Sequence, residues 1–442
     1  MTMRRVLLIT ADYPPKLTSA SRRPSGLSKY LPESGWKTVV LTIREKQRRG
    51  TYHGIELLES NLLSKPAFVK RLLDFIHKKN RASANNTNEA TSALPFQDQY
   101  RENHLITTIR NLLFYPDRYL ISWYRVAVKT YLQNARNLPI HAIISTAKPM
   151  TTHLIARRIK KAINVPWIAD FRDLWPHWRF YQNDDQYYSA MNLINRLFVK
   201  WTLATASSLV TVSPPLASSL RKRFKHKTIL CIPNGFDPEE YAHQIPPDNS
   251  YFLLTYTGHV RTDRQDPEIL LKAISELILE RLLPRNQIRI RFYGEITSKL
   301  LKDIHHYQLS DIVIADGIRL SRDEIVVKQF ESSLLIALAA LDHDNIGTPS
   351  GKIYEYLAAK RPILAIGKPF GHDVLEDILK ATRAGTYART LDATKKTIVL
   401  YYNQFITKDK LKYRGLAKKI NQYSHRSMAQ QYADLLNHHI VF

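Results

Sequence analysis

Apolar residues in this chain fall in short unbroken runs rather than in alternation. The first run is Val6 to Thr10. A loop marked by Pro14-Pro15 follows, then a helix from about Arg22 to Leu31 that stops at Pro32, then Gly35 and a second run at Thr38 to Thr42. An unbroken run bounded by turn residues predicts a strand buried on both faces, and helices between such strands predict a parallel sheet covered on both sides. The pattern returns at Ala142 to Thr146, Trp167 to Asp170, Ser208 to Val212 and Ile229 to Ile232. It restarts as a second set at Phe252 to Thr257, Ile288 to Tyr293, Ile312 to Ala315, Leu334 to Ala339 and Pro362 to Ile366. The predicted fold class is α/β, with two successive doubly wound sheets.

The joint between them is predicted between Asn234 and Ser250, where Asn-Gly, Asp-Pro and Ile-Pro-Pro-Asp-Asn cluster. A first domain over 1–240 and a second over 250–425 follow. Residues 65–136 read as a helical insertion in the first sheet, with a polar Ala/Asn/Thr/Ser-rich loop from Arg81 to Ala93. Basic-aromatic helices surround that loop, including Leu112 to Tyr115 and Tyr119 to Tyr124. A chain of 442 residues exceeds what one core normally fills, which agrees with two domains.

The single cysteine, Cys231, excludes a disulfide scaffold and any cysteine-rich metal centre. The longest apolar run, Leu334 to Leu341, is far shorter than the roughly 20 residues of a membrane helix. A cytoplasmic protein is expected. Charge changes the picture more than hydropathy does. The net charge is +26, of which residues 1–240 hold +20, with 37 Lys and Arg against 17 Asp and Glu. So uneven a distribution points to a polyanionic neighbour, and an anionic membrane surface is the expected one. Nucleic acid would answer the same charge, but the basic residues are scattered and no nucleic-acid motif occurs, so no nucleic-acid partner is expected.

The stretch from Gly347 to Ile366 carries the clearest chemistry. A small-residue turn, Thr348 to Gly351, opens a helix of about three turns that feeds the strand at Pro362. Backbone N–H groups at such a start, near Ser350 and Gly351, suit a diphosphate, and Lys352 in the first turn adds a point charge. Glu355, one turn on, suits a ribose diol. The same residues also suit a plain surface ion pair between Lys352 and Glu355 with Ser350 as N-cap, and the residues alone leave both readings open. Upstream, Gly258, Arg261 and Arg264 follow the strand Phe252 to Thr257, at the carboxyl edge where open α/β sheets bind ligands.

In the first half, the strand ending at Asp170, Arg172 and Asp173 sets two carboxylates and a guanidinium at a sheet edge, suited to hydroxyl binding or acid–base work. A pairing of Asp170 with Arg172 is the alternative. Asp342-His343-Asp344 has a chelating look, but such triplets are common in loops and no metal is expected. The first loop lacks Gly-x-Gly-x-x-Gly, which argues against a dinucleotide cofactor.

Taken in order, these segments resemble a known family. They are Asp-Tyr-Pro-Pro (12–15), Tyr-Leu-Pro-Glu-Ser-Gly-Trp (30–36), Ser-Thr-Ala-Lys-Pro-Met-Thr-Thr-His (145–153) and Ala-Asp-Phe-Arg-Asp-Leu-Trp (169–175). Val-Thr-Val-Ser (210–213), Ile-Pro-Asn-Gly-Phe-Asp (232–237), Tyr-Thr-Gly (256–258) and Gly-Lys-Ile-Tyr-Glu-Tyr-Leu (351–357) continue the series. The series is similar to the retaining glycosyltransferases of family 4, whose GT-B fold has two Rossmann-like doubly wound domains facing a cleft.

The resemblance implies a nucleoside-diphosphate sugar donor on the second domain, held by Gly258, Arg261, Arg264, Ser350, Gly351, Lys352 and Glu355. It implies an acceptor on the first, with Arg22, Arg23, His153 and Asp170 at the acceptor and Asp173, Arg172 and Glu355 at the reaction centre. A final helix, about Arg426 to His438, would cross back to the first domain on Met428, Tyr432 and Leu435. A lipid-linked or other glycan acceptor at the inner face of a bacterial membrane, in polysaccharide or lipopolysaccharide assembly, suits both charge and resemblance. The chain departs from the family's pattern at Gly347, where a glutamate is usual, and at Ser19-Ala20-Ser21, where glycines are. It departs again at Arg172, where many relatives have His. A nucleotide-sugar epimerase or hydrolase of the same fold and an inactive partner subunit are the competing expectations.

Overall fold

In the computed structural model, which describes residues 3–16, 18–45, 55–63, 116–117, 119–173, 186–260, 265–339, 349–367, 371–407 and 413–440, each apolar run above is a strand. The first sheet holds β1 (Arg4–Ile9), β2 (Trp36–Ile43), β3 (Glu56–Ser60), β4 (Ala142–Ala147), β5 (Trp167–Phe171), β6 (Ser208–Thr211) and β7 (Thr228–Cys231). Its order is β3-β2-β1-β4-β5-β6-β7. The second holds β8 (Phe252–Thr257), β9 (Ile288–Tyr293), β10 (Val313–Ile314), β11 (Leu334–Leu338), β12 (Ile363–Ile366) and β13 (Gly385–Ala388), in the order β10-β9-β8-β11-β12-β13. Both centres are parallel: Val6 pairs with Thr38 on one side and Ala142 on the other, and Leu254 pairs with Ile290 and Leu334. Each order reverses once, between β1 and β4 and between β8 and β11. Ligands of such sheets bind outside the carboxyl ends of the strands at that switch point.

The unbroken runs have a direct cause. Along β11, Leu334, Ile336 and Leu338 enter one buried cluster, with Phe252, Ile398 and Tyr402, while Leu335 and Ala337 enter another, with Phe330, Tyr354 and Leu357. Successive side chains of a strand point to opposite faces, so a strand buried on both must be apolar throughout. Two edge strands, β3 (Glu-Leu-Leu-Glu-Ser) and β13 (Gly-Thr-Tyr-Ala), were not predicted, because polar and small residues interrupt their apolar runs.

The helices that matter for function are α1 (Ser19–Tyr30), α2 (Tyr124–Asn134), α3 (Thr151–Ile163), α4 (Gln186–Leu203), α5 (Arg322–Glu331), α6 (Lys352–Ala359), α7 (Leu391–Ile406) and α8 (His425–Ile440). α1 starts three residues earlier than expected because Thr18 and Ser21 form a capping box, with Thr18 Oγ1 accepting from Ser21 N at 3.2 Å and Ser21 Oγ from Thr18 N at 3.0 Å. That start places Pro24 inside the helix. α3 is capped from afar: the Asp117 carboxylate accepts from Thr151 N at 2.9 Å and Thr151 Oγ1 at 2.7 Å. Of the expected insertion, Tyr119–Ser122 and α2 are helical, while Leu112 to Tyr115 and the loop from Arg81 to Ala93 lie outside the described residues.

The chain divides into two compact units, Met1–Leu209 with Leu436–Phe442, and Val210–Leu435. Strand membership changes from one sheet to the other between Cys231 and Phe252. Helix α8 belongs to both units. Met428, Tyr432 and Leu435 are buried, and the last turn belongs to the first unit. There Asn437 Oδ1 accepts from Trp36 Nε1 at 3.1 Å, and His439 Nε2 lies 2.6 Å from Ser208 Oγ. No helix among the described residues is long and apolar enough to cross a membrane.

Candidate functional site

In the second unit, the carboxyl ends of β8 and β9 and the start of α6 converge. Gly258 follows β8 with φ +116°, a conformation L side chains rarely adopt. A Cβ on it would lie 2.3 Å from Lys352 Cε and 2.8 Å from Nζ. Gly294, at the end of β9 with φ +111°, packs against the Gly258 backbone as closely, its Cβ position lying 2.9 Å from the Gly258 carbonyl carbon. Two glycines therefore let the end of β9, the turn after β8 and the end of the Lys352 side chain pack closely at the switch point. This brings together two residues that are 94 positions apart in sequence and were expected at one site.

Lys352 is an unusual lysine. Its Nζ donates to Tyr256 Oη at 2.5 Å and lies 4.1 Å from the centre of the Tyr256 ring. Among the described residues no carboxylate pairs with it, and burial pushes its pKa down to about 7. A desolvated ammonium without an anion is costly unless one arrives. Tyr256 is itself buried, with its hydroxyl within bonding distance of His259 O (3.0 Å) and Gln265 Oε1 (3.2 Å), so the ring that carries the lysine is fixed.

The ion pair between Lys352 and Glu355 does not form, and Ser350 does not cap α6. The N-cap position is Gly351, with no side-chain hydrogen bond, and Ser350 and Gly351 are exposed. The start of α6 thus offers main-chain N–H groups beside Lys352.

Glu355 points into the unit instead. Its Oε2 accepts from Arg322 Nη1 at 2.7 Å and Gln329 Nε2 at 3.2 Å. Arg322 also bonds Glu240 Oε2 at 2.6 Å and Tyr241 Oη at 3.0 Å, and Gln329 Nε2 reaches Thr257 Oγ1 at 3.1 Å. Tyr356 Oη accepts from Thr257 N at 2.9 Å. The network ties Glu355 to the residue before Gly258, so the Gly258 turn and the carboxylate are positioned as one body. Sequence reasoning missed Tyr256, Gly294, Arg322, Gln329 and Tyr356 as site residues. The available signals were the second strand-end glycine and the i,i+7 spacing that puts Arg322 and Gln329 on one face of α5. Arg261, Arg264, Gly347 and the Asp342-His343-Asp344 triplet lie outside the described residues.

In the first unit the expected acceptor residues separate into two groups. Arg23 and Asp170 form a buried bidentate pair, Nε to Oδ2 at 3.0 Å and Nη2 to Oδ1 at 3.1 Å, with exposures of 2% and 0%. Expected at the acceptor, they clamp α1 to β5. The alternative pairing of Asp170 with Arg172 is not formed. His153 is the third residue expected there. It is wholly buried against Phe171, and its Nδ1 lies 2.8 Å from Ser145 Oγ. Burial, opposed by the charge of Asp170, brings its pKa to about 3, so its imidazole stays neutral near pH 7.

Arg172, expected at the reaction centre, donates instead to three backbone carbonyls: Ala147 at 2.7 Å, Ala20 at 2.5 Å and Lys148 at 2.9 Å. The Ala20 contact has a specific cause. In an α-helix the carbonyl of Ala20 would accept from the N–H of residue 24, and that residue is Pro24. Arg172 supplies the donor that proline lacks. It thereby joins α1, the loop after β4 and the end of β5 on the two sides of the first switch point. The exposed side of this edge holds Arg22 and Asp173, whose carboxylate lies 3.6 Å from Lys148 Nζ.

Asp266, Glu268 and Asp303 lie close enough together to hold a cation, but all three accept from Lys299 Nζ, at 2.9, 3.2 and 2.8 Å. A lysine already fills that position.

No family model matches the chain, and no curated protein does. Solved structures do. Sucrose-phosphate synthase from Thermosynechococcus elongatus superimposes with a TM-score of 0.60, covering 98% of both chains at 14% identity. HepE of Anabaena, in complex with UDP and glucose, matches with a TM-score of 0.55 over 98% of this chain and 100% of that one, at 11% identity. The fold is GT-B. WaaG, a glycosyltransferase involved in lipopolysaccharide biosynthesis, matches with a TM-score of 0.51, 98% and 99% coverage and 12% identity. At these identities the likeness is one of GT-B architecture, running the whole chain as the ordered motifs implied.

Proposed function

We propose that this protein is a retaining glycosyltransferase. It moves a sugar from a nucleoside-diphosphate sugar to an acceptor hydroxyl. The observation that carries the reading is Lys352: a half-buried, desolvated cation without an anion among the described residues, on the first turn of α6 and against the Gly258 turn, at the switch point of a sheet. A diphosphate supplies what that arrangement lacks. HepE, of the same fold, has been seen with UDP and glucose.

In this reading residues 250–425 are the donor domain, and residues 1–240 with 426–442 the acceptor domain. Lys352, the α6 N–H groups near Ser350 and Gly351, and Arg261 and Arg264 take the charge that grows on the leaving diphosphate. Such preorganised groups stabilise a transition state without reorganising. Glu355, held by Arg322 and Gln329, takes the ribose. The C1–O bond to the diphosphate breaks, the C1–O bond to the acceptor forms on the same face, and the acceptor proton passes to a diphosphate oxygen. Arg22 and Asp173 lie at the acceptor side. The acceptor is a lipid-linked glycan of a bacterial surface polysaccharide, met by a cytoplasmic protein peripheral to an anionic membrane.

The test is product analysis with UDP-, GDP- and ADP-sugars, with and without lipid-linked acceptors. A glycoside with the donor's anomeric configuration is expected. Free or epimerised sugar formed equally without acceptor supports the epimerase or hydrolase reading, and diphosphate binding without turnover on any pair supports an inactive partner.

A further inference from the structure

Three helices of the first unit carry cations and no carboxylates. Helix α2 has Arg125 and Lys129, α3 has Arg157, Arg158, Lys160 and Lys161, and α4 has Arg196 and Lys200; no Asp or Glu occurs in any of the three. The helices pack side by side, α2 on α3 and α3 on α4. Among the described residues none of these cations is paired with a carboxylate. A solvent-facing helix layer ordinarily mixes signs, because like charges one turn apart destabilise it.

Apolar groups are exposed on the same layer. Leu193, Leu197 and Trp201 stand at i, i+4 and i+8 on α4, one stripe, each more than half exposed. The Arg157 guanidinium lies 4.2 Å from the centre of the Trp201 ring, so cation and apolar stripe share one surface. A groove of about 490 Å3 between α2 and α3 repeats the combination, lined by Val128 and Leu132 together with Arg125, Lys129 and Arg158. Single exposed leucines need no explanation, but a stripe of them among unpaired cations does.

We propose that the outward face of α2, α3 and α4 is a docking surface for an anionic phospholipid bilayer. Lipid phosphates neutralise the cations, and the Leu193–Leu197–Trp201 stripe enters the headgroup region, as basic amphipathic faces do. Nucleic acid would satisfy the arginines and lysines but leaves the two leucines in water. The face brings the protein to a membrane-borne acceptor and so rests, in its purpose, on the function proposed above.

The test is co-sedimentation of the full chain with vesicles of phosphatidylcholine alone or mixed with phosphatidylglycerol, at low and high salt, with RNA filter binding in parallel. Wild type is expected on the anionic vesicles only, released by salt. Leu193→Ser with Leu197→Ser, and Arg125→Glu with Lys129→Glu and Arg158→Glu, are each expected to lower the partition at least tenfold. All five side chains are exposed, and unchanged UDP affinity and melting temperature report that the variants are folded. Equal binding to neutral vesicles, wild-type partition in both variants, or RNA binding lost only in the charge-reversed one overturns the proposal. Loss of UDP binding in wild type strikes the donor reading alone, and absence of wild-type vesicle binding with UDP binding intact strikes the docking surface alone.

Discussion

Replacing Lys352 with methionine separates the binding of a diphosphate from the stability of the unbound protein, because the two should move in opposite directions. In the free protein Nζ is desolvated, and its partners among the described residues are the Tyr256 hydroxyl at 2.5 Å and its ring at 4.1 Å. A lysine whose pKa falls from 10.5 to about 7 destabilises the fold while charged, by an amount on the order of a few kcal/mol. The sign follows from linkage. Between pH 7 and 10.5 the unfolded chain binds the extra proton, so wild-type stability rises with pH across that window. The methionine side chain is apolar at every pH, so Lys352→Met gains most at and below pH 7, and the gain fades toward pH 10.5. Tyr256 keeps His259 O and Gln265 Oε1 as partners, so no buried hydroxyl is orphaned. Binding goes the other way. Losing a charge-assisted contact to phosphate costs about 1.5–3 kcal/mol, roughly ten- to 150-fold in Kd. Wild-type affinity for a diphosphate should also weaken as pH rises through 7, and that dependence should be missing from Lys352→Met. Calorimetric titration with UDP, GDP and ADP, beside urea unfolding from pH 6 to 10, measures both. A variant that binds as wild type does, or that is less stable than wild type at pH 7, refutes the assignment.

Gly258→Ala puts a methyl group where Lys352 Cε stands, 2.3 Å away, at φ +116°, and should raise the diphosphate Kd at least tenfold while the far-ultraviolet spectrum stays the same. Arg172→Lys exchanges a planar fork for one ammonium that cannot reach three carbonyls. Unfolding free energy should fall by about 1–3 kcal/mol with diphosphate affinity unchanged, and the reverse pattern would return Arg172 to the reaction centre. Transfer should survive a chelator, because Lys352 and the α6 N–H groups stand where a metal would act, and strict dependence on added manganese would contradict this.

How much of this was legible in the residues depends on the distance over which each contact is made. Strands such as β8 and β11 announce themselves because burial on both faces forces an unbroken apolar run. The strands β3 and β13 carry polar or small residues, Glu56, Glu59 and Ser60 in one and Gly385 and Thr386 in the other, and so show no such run. Gly258 and Lys352 were legible as one site because each lies at a strand's carboxyl end or a helix start, and a parallel sheet brings those positions to one edge. The role of Glu355 was legible only in part, since what orients it is Arg322 on another helix. Arg172 read as catalytic because its neighbours are carboxylates. Its partners are main-chain carbonyls that no side-chain pattern reveals, one of them freed by Pro24. The Arg23–Asp170 pair spans 147 positions, and only the fold brings its members together.

The most direct measurement is amide hydrogen exchange of the full chain with and without the nucleoside diphosphate it binds most tightly. Slowed exchange should concentrate at the start of α6, residues 350–354, and at the turn after β8, residues 257–259, and be missing in Lys352→Met. Tight binding with protection confined to other segments, and none at either of these two, would contradict a diphosphate seated on Lys352.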